Sequence, residues 1–412
     1  MTTSLTAAHP AQRRILTVLV TAQILSGAGL AAGITVGALL AQDMLGGAGL
    51  AGLPSALFTI GSAAAAALIG RASQRRGRRT GLAAGYAAGA AGALGVVAAA
   101  AAGSVGLLFA SLLVYGAGSA TNLQARYAGA DLAAPQRRGQ ALSTVLVATT
   151  LGAVVGPNLV TPLGGLARIL GIPPLAGPFL LAAAAYASAA LVLGVLLRPD
   201  PLTTARSLSA AVPDSATPTA GRTGSAHPRM LVLGGTVMVL AQLVMVAIMT
   251  MTPIHMSQHG HSVGAAGLVI AVHVGAMYLP SPLSGYLVDR VGSLPVAAAS
   301  GLTFLAAGLL GALAPPGSVA LLALALALLG LGWSFGLVAG TAIVTDAVPL
   351  AARARIQGLV DMAVAVAGAG GGLASGMVVA AGSHALLSAI GGVLALLVLP
   401  AILWSARPTR RR

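Results

Sequence analysis

Apolar stretches of about twenty residues follow one another along almost the whole chain, and that is the length a helix needs to cross the hydrocarbon of a bilayer. Only 7% of the 412 residues are charged, while 57% are hydrophobic. A water-soluble domain carries roughly a quarter charged residues. A chain this poor in charge cannot cover itself with a water-facing surface, so lipid must be its main exterior solvent. A membrane barrel would need strands of about ten residues alternating polar and apolar. Here the runs are unbroken and rich in Ala, Leu and Gly, residues that suit close helix packing in lipid. The expected fold is all-α and integral to the membrane.

Reading for such stretches gives about twelve spans, with cores near 15–40, 52–70, 80–102, 105–125, 141–163, 177–197, 231–252, 263–284, 295–314, 319–343, 356–381 and 384–404. All 22 basic residues are Arg and all 7 acidic residues are Asp. The arginines fall in alternate joints. Arg13 and Arg14 precede the first span, Arg71 to Arg79 fill the joint after the second, and Arg126, Arg137 and Arg138 follow the fourth. Arg198, Arg206, Arg222 and Arg229 lie between the sixth and seventh, with Arg290, Arg353, Arg355, Arg407 and Arg410 to Arg412 at later joints and the C-terminus. Arg168 alone falls on the other side. The positive-inside rule then places both termini in the cytoplasm, in a bacterial cytoplasmic membrane. The net charge of +15 is thereby assigned to topology and anionic lipid rather than to nucleic acid. Without cysteine there is no disulfide framework and no thiolate metal or redox site. The first apolar segment is too long for the core of a cleaved signal peptide and is expected to stay in place.

Residues 199–229, with Pro199, Pro201, Pro213 and Pro218 among many Ser, Thr and Ala, form the one long hydrophilic connection. They read as a flexible cytoplasmic linker between six-helix bundles at 1–198 and 230–412. The halves resemble each other. Ala22-Gln23 echoes Ala241-Gln242, Gly70 to Gly77 echoes Gly285 to Gly292, and Asp131 to Arg138 echoes Asp346 to Arg355. Parallel repeats of this kind are a transporter device, with cargo held near mid-membrane.

The joint after the second span reads Gly70-Arg-Ala-Ser-Gln74-Arg75-Arg76-Gly77-Arg78-Arg79, and its partner reads Gly285-Tyr-Leu-Val-Asp289-Arg290-Val-Gly292. Glycine permits a tight turn and close helix approach, and a carboxylate here can face the N-terminus of a neighbouring helix. The two joints resemble the signature loop of the major facilitator superfamily, G-x-x-x-D-R-x-G-R-[RK]. That resemblance implies twelve helices in two pseudo-symmetric six-helix bundles, with Gly70, Gln74, Arg75, Gly77, Arg78, Gly285, Asp289, Arg290 and Gly292 as inner latches, joined by Asp131, Asp346 and Arg355. Gln74 stands where the family prefers Asp. In the fifth span Gly152, Gly156 and Pro157 resemble the G-x-x-x-G-P segment of antiporters in the superfamily, and they also suit plain helix packing. The fourth span is similar to the drug/proton pattern R-x-x-Q-G-x-G but has Leu112 for its arginine and Tyr115 for its glutamine.

Ionisable groups inside the bilayer are costly, so they are usually functional or paired. His273 falls about 15 Å into the eighth span at 1.5 Å per residue and is a candidate proton carrier, or a histidine bonded within the packed interior. Asp361, roughly 9 Å into the eleventh span, either couples to protons or pairs with Arg355 or the basic loop after the second span. Asp43, at the outer end of the first span, is expected to be solvated. Gln23, Asn122, Gln124, Asn158, Gln242, Tyr278 and Trp333 are the candidates to line a cavity, unless they only bond between helices. Beyond the seventh span, Pro253 and Gly260 read as a loop carrying His255, His259 and His261, an alternative metal site by ligand type, a pH-sensing element or an inert polar loop. No nucleophile–base pair, carboxylate pair or phosphate loop suggests an enzyme, and no cofactor is expected. A phosphate-bearing cargo would call for an arginine at mid-depth, and no arginine falls there. The reading is therefore a secondary transporter, monomeric, using alternating access to couple proton entry to export of a lipophilic or weakly polar small molecule. Its alternatives are metal transport through the outer histidines and proton-coupled uptake of a small solute.

Overall fold

The computed structural model describes residues 9–45, 53–211 and 227–406, and among these there is no strand. The helices are α1 (Gln12–Leu45), α2 (Leu53–Arg76), α3 (Arg78–Ala102), α4 (Val105–Ala130), α5 (Arg138–Asn158), α6 (Val160–Ile169), α7 (Gly177–Leu196) and α8 (Pro201–Ala210). The second half of the chain gives α9 (Pro228–Gln258), α10 (Val263–Tyr278), α11 (Ser281–Val291), α12 (Ser293–Leu313), α13 (Val319–Ala347), α14 (Arg353–Ala381), α15 (His384–Ala395) and α16 (Val398–Ser405). Ten helical stretches among the described residues are long and apolar enough to cross a membrane. To these α1 and α5 add helices over the spans expected at 15–40 and 141–163. The all-α membrane fold is therefore the one observed.

Two compact units emerge. The first comprises Met1–Ala134, Thr144–Gly224 and Pro349–Ala365, and the second Pro135–Ser143, Ser225–Val348 and Val366–Arg412. The first turns of α5 thus belong to the second unit, and the first turns of α14 to the first.

In the first unit α3 packs on α4 and α7, α1 on α7, and α2 on α4. The contacts are made by the smallest residues. A Cβ on Gly61 would collide with the carbonyl of Leu113, and one on Gly92 with the backbone of Tyr115. The Tyr186 ring lies against Gly29 and Gly118 and forms one buried cluster with Tyr86, Tyr115 and Phe179, with ring centroids 5.5 to 5.7 Å apart. In the second unit α13 packs on α9, α10 and α12, and α12 on α15, with Gly308 seated against Gly392. Large apolar side chains instead point outward, among them Leu313, Leu373 and Met377 at 74% exposure or more. Backbone contact inside and leucine outside is the arrangement lipid favours, because apolar burial alone does not drive helices together there.

Three local features depart from the sequence reading. The connection expected to be irregular from 199 opens with a helix, α8. Asp200 caps it by accepting from Leu202 N and Thr203 N at 3.0 Å, and Pro201 takes the first turn, where a missing N–H costs nothing. Residues 212–226, including Arg222, lie outside the described residues, as do Arg407 and Arg410 to Arg412. The supposed loop from Pro253 is helical, since α9 runs through Pro253 to Gln258. Proline is tolerated in membrane helices because neighbouring groups re-satisfy the freed carbonyl. The eighth span is broken near Pro280, where α10 gives way to α11. Proline lacks the N–H that a continuous helix would need.

Candidate substrate and coupling site

The two signature turns perform the same local task. Gly77 and Gly292 take positive φ of 90° and 97°, a conformation that a Cβ disfavours, and each begins the next helix. Gln74 Oε1 accepts from Ala354 N at 2.8 Å and Arg355 N at 3.3 Å, while its Nε2 donates to the carbonyls of Leu350 and Ala351. Gln74 thereby caps the N-terminus of α14. Asp289 does the same for α5, accepting from Gly139 N at 2.7 Å and Gln140 N at 2.9 Å. A Cβ on Gly70 would lie 2.8 Å from Cα of Gly358, and one on Gly285 would strike the carbonyl of Gly139. Glutamine thus replaces the expected carboxylate without losing the cap, since an amide oxygen accepts the same orphan N–H groups. Asp346 pairs with Arg138, Arg290 donates to Tyr286 Oη at 2.8 Å, and Arg75 and Arg355 are exposed.

Beside the first turn, within the first unit, lie two buried ion pairs. Arg78 Nε donates to Asp131 at 2.8 Å, and the same guanidinium reaches Gln357 Oε1. Arg126 Nη2 donates to Asp361 at 2.6 Å. Tyr127 donates its hydroxyl to the same carboxylate at 3.2 Å, and its ring lies under the Arg126 guanidinium at 4.2 Å. Asp361 therefore pairs with Arg126, not with Arg355 or the loop after α2. Arg126 is not in a joint after the fourth span. It is inside α4, which continues to Ala130, and it is fully buried. A buried pair of this kind holds only while both members stay charged, because either charge alone would be very costly in that surrounding.

The cavity candidates divide by unit. Gln23 donates to Asn122 O and Thr149 Oγ1, both at 3.0 Å, and accepts from Tyr86 at 2.6 Å. Asn122 donates to Ser26 Oγ at 3.0 Å, and Gln124 to Ala66 O at 2.6 Å. These amides are buried and bonded within the first unit. Gly152 lies against Ile24 O of α1, while the side chains of residues 153–158, among them Pro157 and Asn158, lie outside the described residues. In the second unit Trp333 Nε1 donates to Gln242 Oε1 at 2.8 Å, and Tyr278 meets the Trp333 indole edge-on at 5.5 Å. Gln242 and Tyr278 are only half-buried. Tyr278 sits at the last residue of α10, where the Pro280 break turns the chain.

His273 is fully buried, with Nδ1 2.8 Å from Leu326 O. A ring nitrogen facing a carbonyl carries the proton, which leaves Nε2 as an acceptor with no hydrogen-bond partner among the described residues. His255 and His259 come together at 4.3 Å between ring centroids, but their third neighbour is His384, stacked on His255 at 4.5 Å. His261 is turned to Pro316 O at 2.7 Å. Among the described residues no group of three or more His, Cys, Asp or Glu is placed to hold a metal ion. Asp43 is exposed.

The fold, the twin signature turns and the small-residue packing together define a class of membrane transporter. The family model described as Major Facilitator Superfamily matches residues 19–234 and 234–412, and the chain belongs to that family. It is 56% identical over 395 residues to an uncharacterized MFS-type transporter, YdeG, of Bacillus subtilis (strain 168), covering 95% of this chain and 92% of the relative. It is 32% identical over 358 residues to the riboflavin transporter RfnT of Brucella anthropi, covering 85% of each. Among solved structures, the proton:xylose symporter XylE bound to 6-bromo-6-deoxy-D-glucose is similar in fold. Its TM-score is 0.74 at 20% identity, with 96% of each chain covered. The protein is accordingly a multi-pass membrane transporter of the superfamily.

Proposed function

We propose that the protein couples proton entry to export of an uncharged, planar aromatic or heteroaromatic small molecule by alternating access, as a monomer in a bacterial cytoplasmic membrane with both termini inside. The observation that supports the substrate class is the group in which half-buried Gln242 and Tyr278 stand on the buried indole of Trp333. It offers the partly exposed Tyr278 ring and the Gln242 amide, backed by the Trp333 indole, and no charge. Edge-to-face and stacked aromatic contacts contribute about 0.5–1.5 kcal/mol each beyond area burial, and an amide adds directional hydrogen bonding. The relative named as a riboflavin transporter supports a substrate of this chemistry. Exchange in the antiport sense is supported by the resemblance of Gly152, Gly156 and Pro157 to the antiporter segment of the superfamily.

Asp361 is the coupling carboxylate in this reading. Its protonation would cancel one charge of a buried pair and take from Arg126 its carboxylate partner. That local change is large enough to bias a two-state element. The caps of α14 by Gln74 and of α5 by Asp289 are the contacts such an element would make and break. His273 is a second proton acceptor through its free Nε2.

The test is transport in proteoliposomes with an imposed pH gradient, using riboflavin and a panel of neutral aromatic heterocycles. Movement of such a compound against its gradient, lost with the pH gradient, is expected. Trp333→Phe, which keeps a ring but removes the N–H, should raise KM several-fold with little change in kcat. Asp361→Asn should abolish gradient-driven transport while preserving exchange. Gradient-driven transport that survives in Asp361→Asn would remove Asp361 from coupling. A cargo confined to charged solutes would remove the substrate class.

A further inference from the structure

Four of the seven histidines of the chain gather at one end of the second unit, away from Gly292. There the last turns of α9 and α14, the joint between α12 and α13, and the start of α15 line an open cavity of about 610 Å³. Its walls are apolar at Met251, Ile254, Val379 and Ala380, and its polar lining is supplied by His255, Gln258, His259, Ser383 and His384. His384 is buried, with Nε2 3.1 Å from Thr252 Oγ1. His255 is half-buried and His259 exposed at the rim.

The charge inventory around this cavity is one-sided. From α9 come His255 and His259, from α15 His384, and from the joint only the Pro316 carbonyl, which holds His261. The part of α14 that lines it, Gly376 to Ala380, offers no titratable group. Neither a carboxylate nor a guanidinium is among the lining residues. An imidazolium formed here gains from the C-terminal end of the α9 dipole but meets no counter-charge on the wall. His255 has the His259 ring at 4.3 Å and the His384 ring at 4.5 Å, and the three cannot all carry charge, because like charges that close repel strongly. A bound anion supplies what the wall lacks, and the apolar lining accepts the rest of the molecule.

We propose that this cavity is an accessory binding site for an amphiphilic organic carboxylate, held by the histidine cluster on its wall and bound more tightly in acid. It is separate from the Gln242–Trp333–Tyr278 group. It does not depend on the transport reading given above, since binding alone reports it.

The experiment is equilibrium binding of radiolabelled hexanoate to the purified full-length protein in neutral detergent at pH 5.5 and pH 8, with unlabelled methyl hexanoate and inorganic phosphate as competitors. Saturable binding is expected at pH 5.5 and at least tenfold weaker binding at pH 8. Neither competitor should displace hexanoate. His259→Gln, a rim substitution that leaves the packed interior untouched, should weaken acid binding at least fivefold, as should His255→Gln. Trp333→Phe should leave binding unchanged. Equal affinity at the two pH values overturns the proposal. So does full binding in His259→Gln and His255→Gln, displacement by the ester, which would mean a merely apolar pocket, or displacement by phosphate, which would mean an unselective anion site.

Discussion

At the scale of single residues, the buried pair of Arg126 and Asp361 carries the sharpest stability consequence. Removing one partner leaves a buried charge uncompensated, which costs about 3–5 kcal/mol, whereas removing both can be nearly neutral. Arg126→Gln and Asp361→Asn should each lower the melting temperature of the detergent-solubilised protein markedly. The double variant should recover most of the loss. Additive losses would show that the two side chains do not act as a pair. The sequence marked Asp361 as costly and so either proton-coupling or paired, and it pointed to Arg355 or the loop after the second span rather than to Arg126. Arg126 falls within a few positions of Asp131 at the edge of an apolar run, where an arginine is ordinarily placed at the interface, and its partner lies 235 positions further on. Only the length of α4, continuing through Tyr127 to Ala130, buries it. His384 was invisible for a similar reason, since nothing in its own segment announces His255.

At the scale of elements, the capping of α14 by Gln74 and of α5 by Asp289 is a matched pair of helix starts. Loss of a cap costs about 1 kcal/mol, and the charged member adds a further interaction with the helix dipole, about 0.3–1 kcal/mol when partly exposed. Gln74→Ala and Asp289→Ala should each reduce amide protection in the first turn of the helix they cap, read by hydrogen exchange, with the larger effect at α5. Unchanged exchange at those turns would mean that the contacts are incidental. These elements were legible because their chemistry is local: two glycines, a polar side chain at fixed spacing and a run of arginine. The start of the linker was not, because Ser, Thr and Ala give no period, and the cap from Asp200 that organises α8 is a single residue. Proline misled at 253, where a membrane helix absorbs it, and was silent at 280, where the chain breaks.

At the scale of the whole molecule, the alternation of arginines predicts that reporter tags at the N-terminus and C-terminus of the intact chain are both shielded from an impermeant reagent added outside the cell. Labelling of either tag in sealed cells would overturn the orientation. The fold was readable at this scale because every span and every joint votes on it, whereas the Gln242–Trp333–Tyr278 group is assembled from three separate helices and no single stretch announces it. The glycine contacts have one more consequence. In a water-soluble protein, tolerance to substitution rises from core to surface in step with side-chain size. Here the ordering of sites inverts. Leu313, Leu373 and Met377 face outward and should accept any apolar residue in a saturation scan of every position. Gly61, Gly92 and Gly308, whose missing side chains are where another backbone passes, should accept none, so the sites with the least chemistry in them would be the ones that drift least.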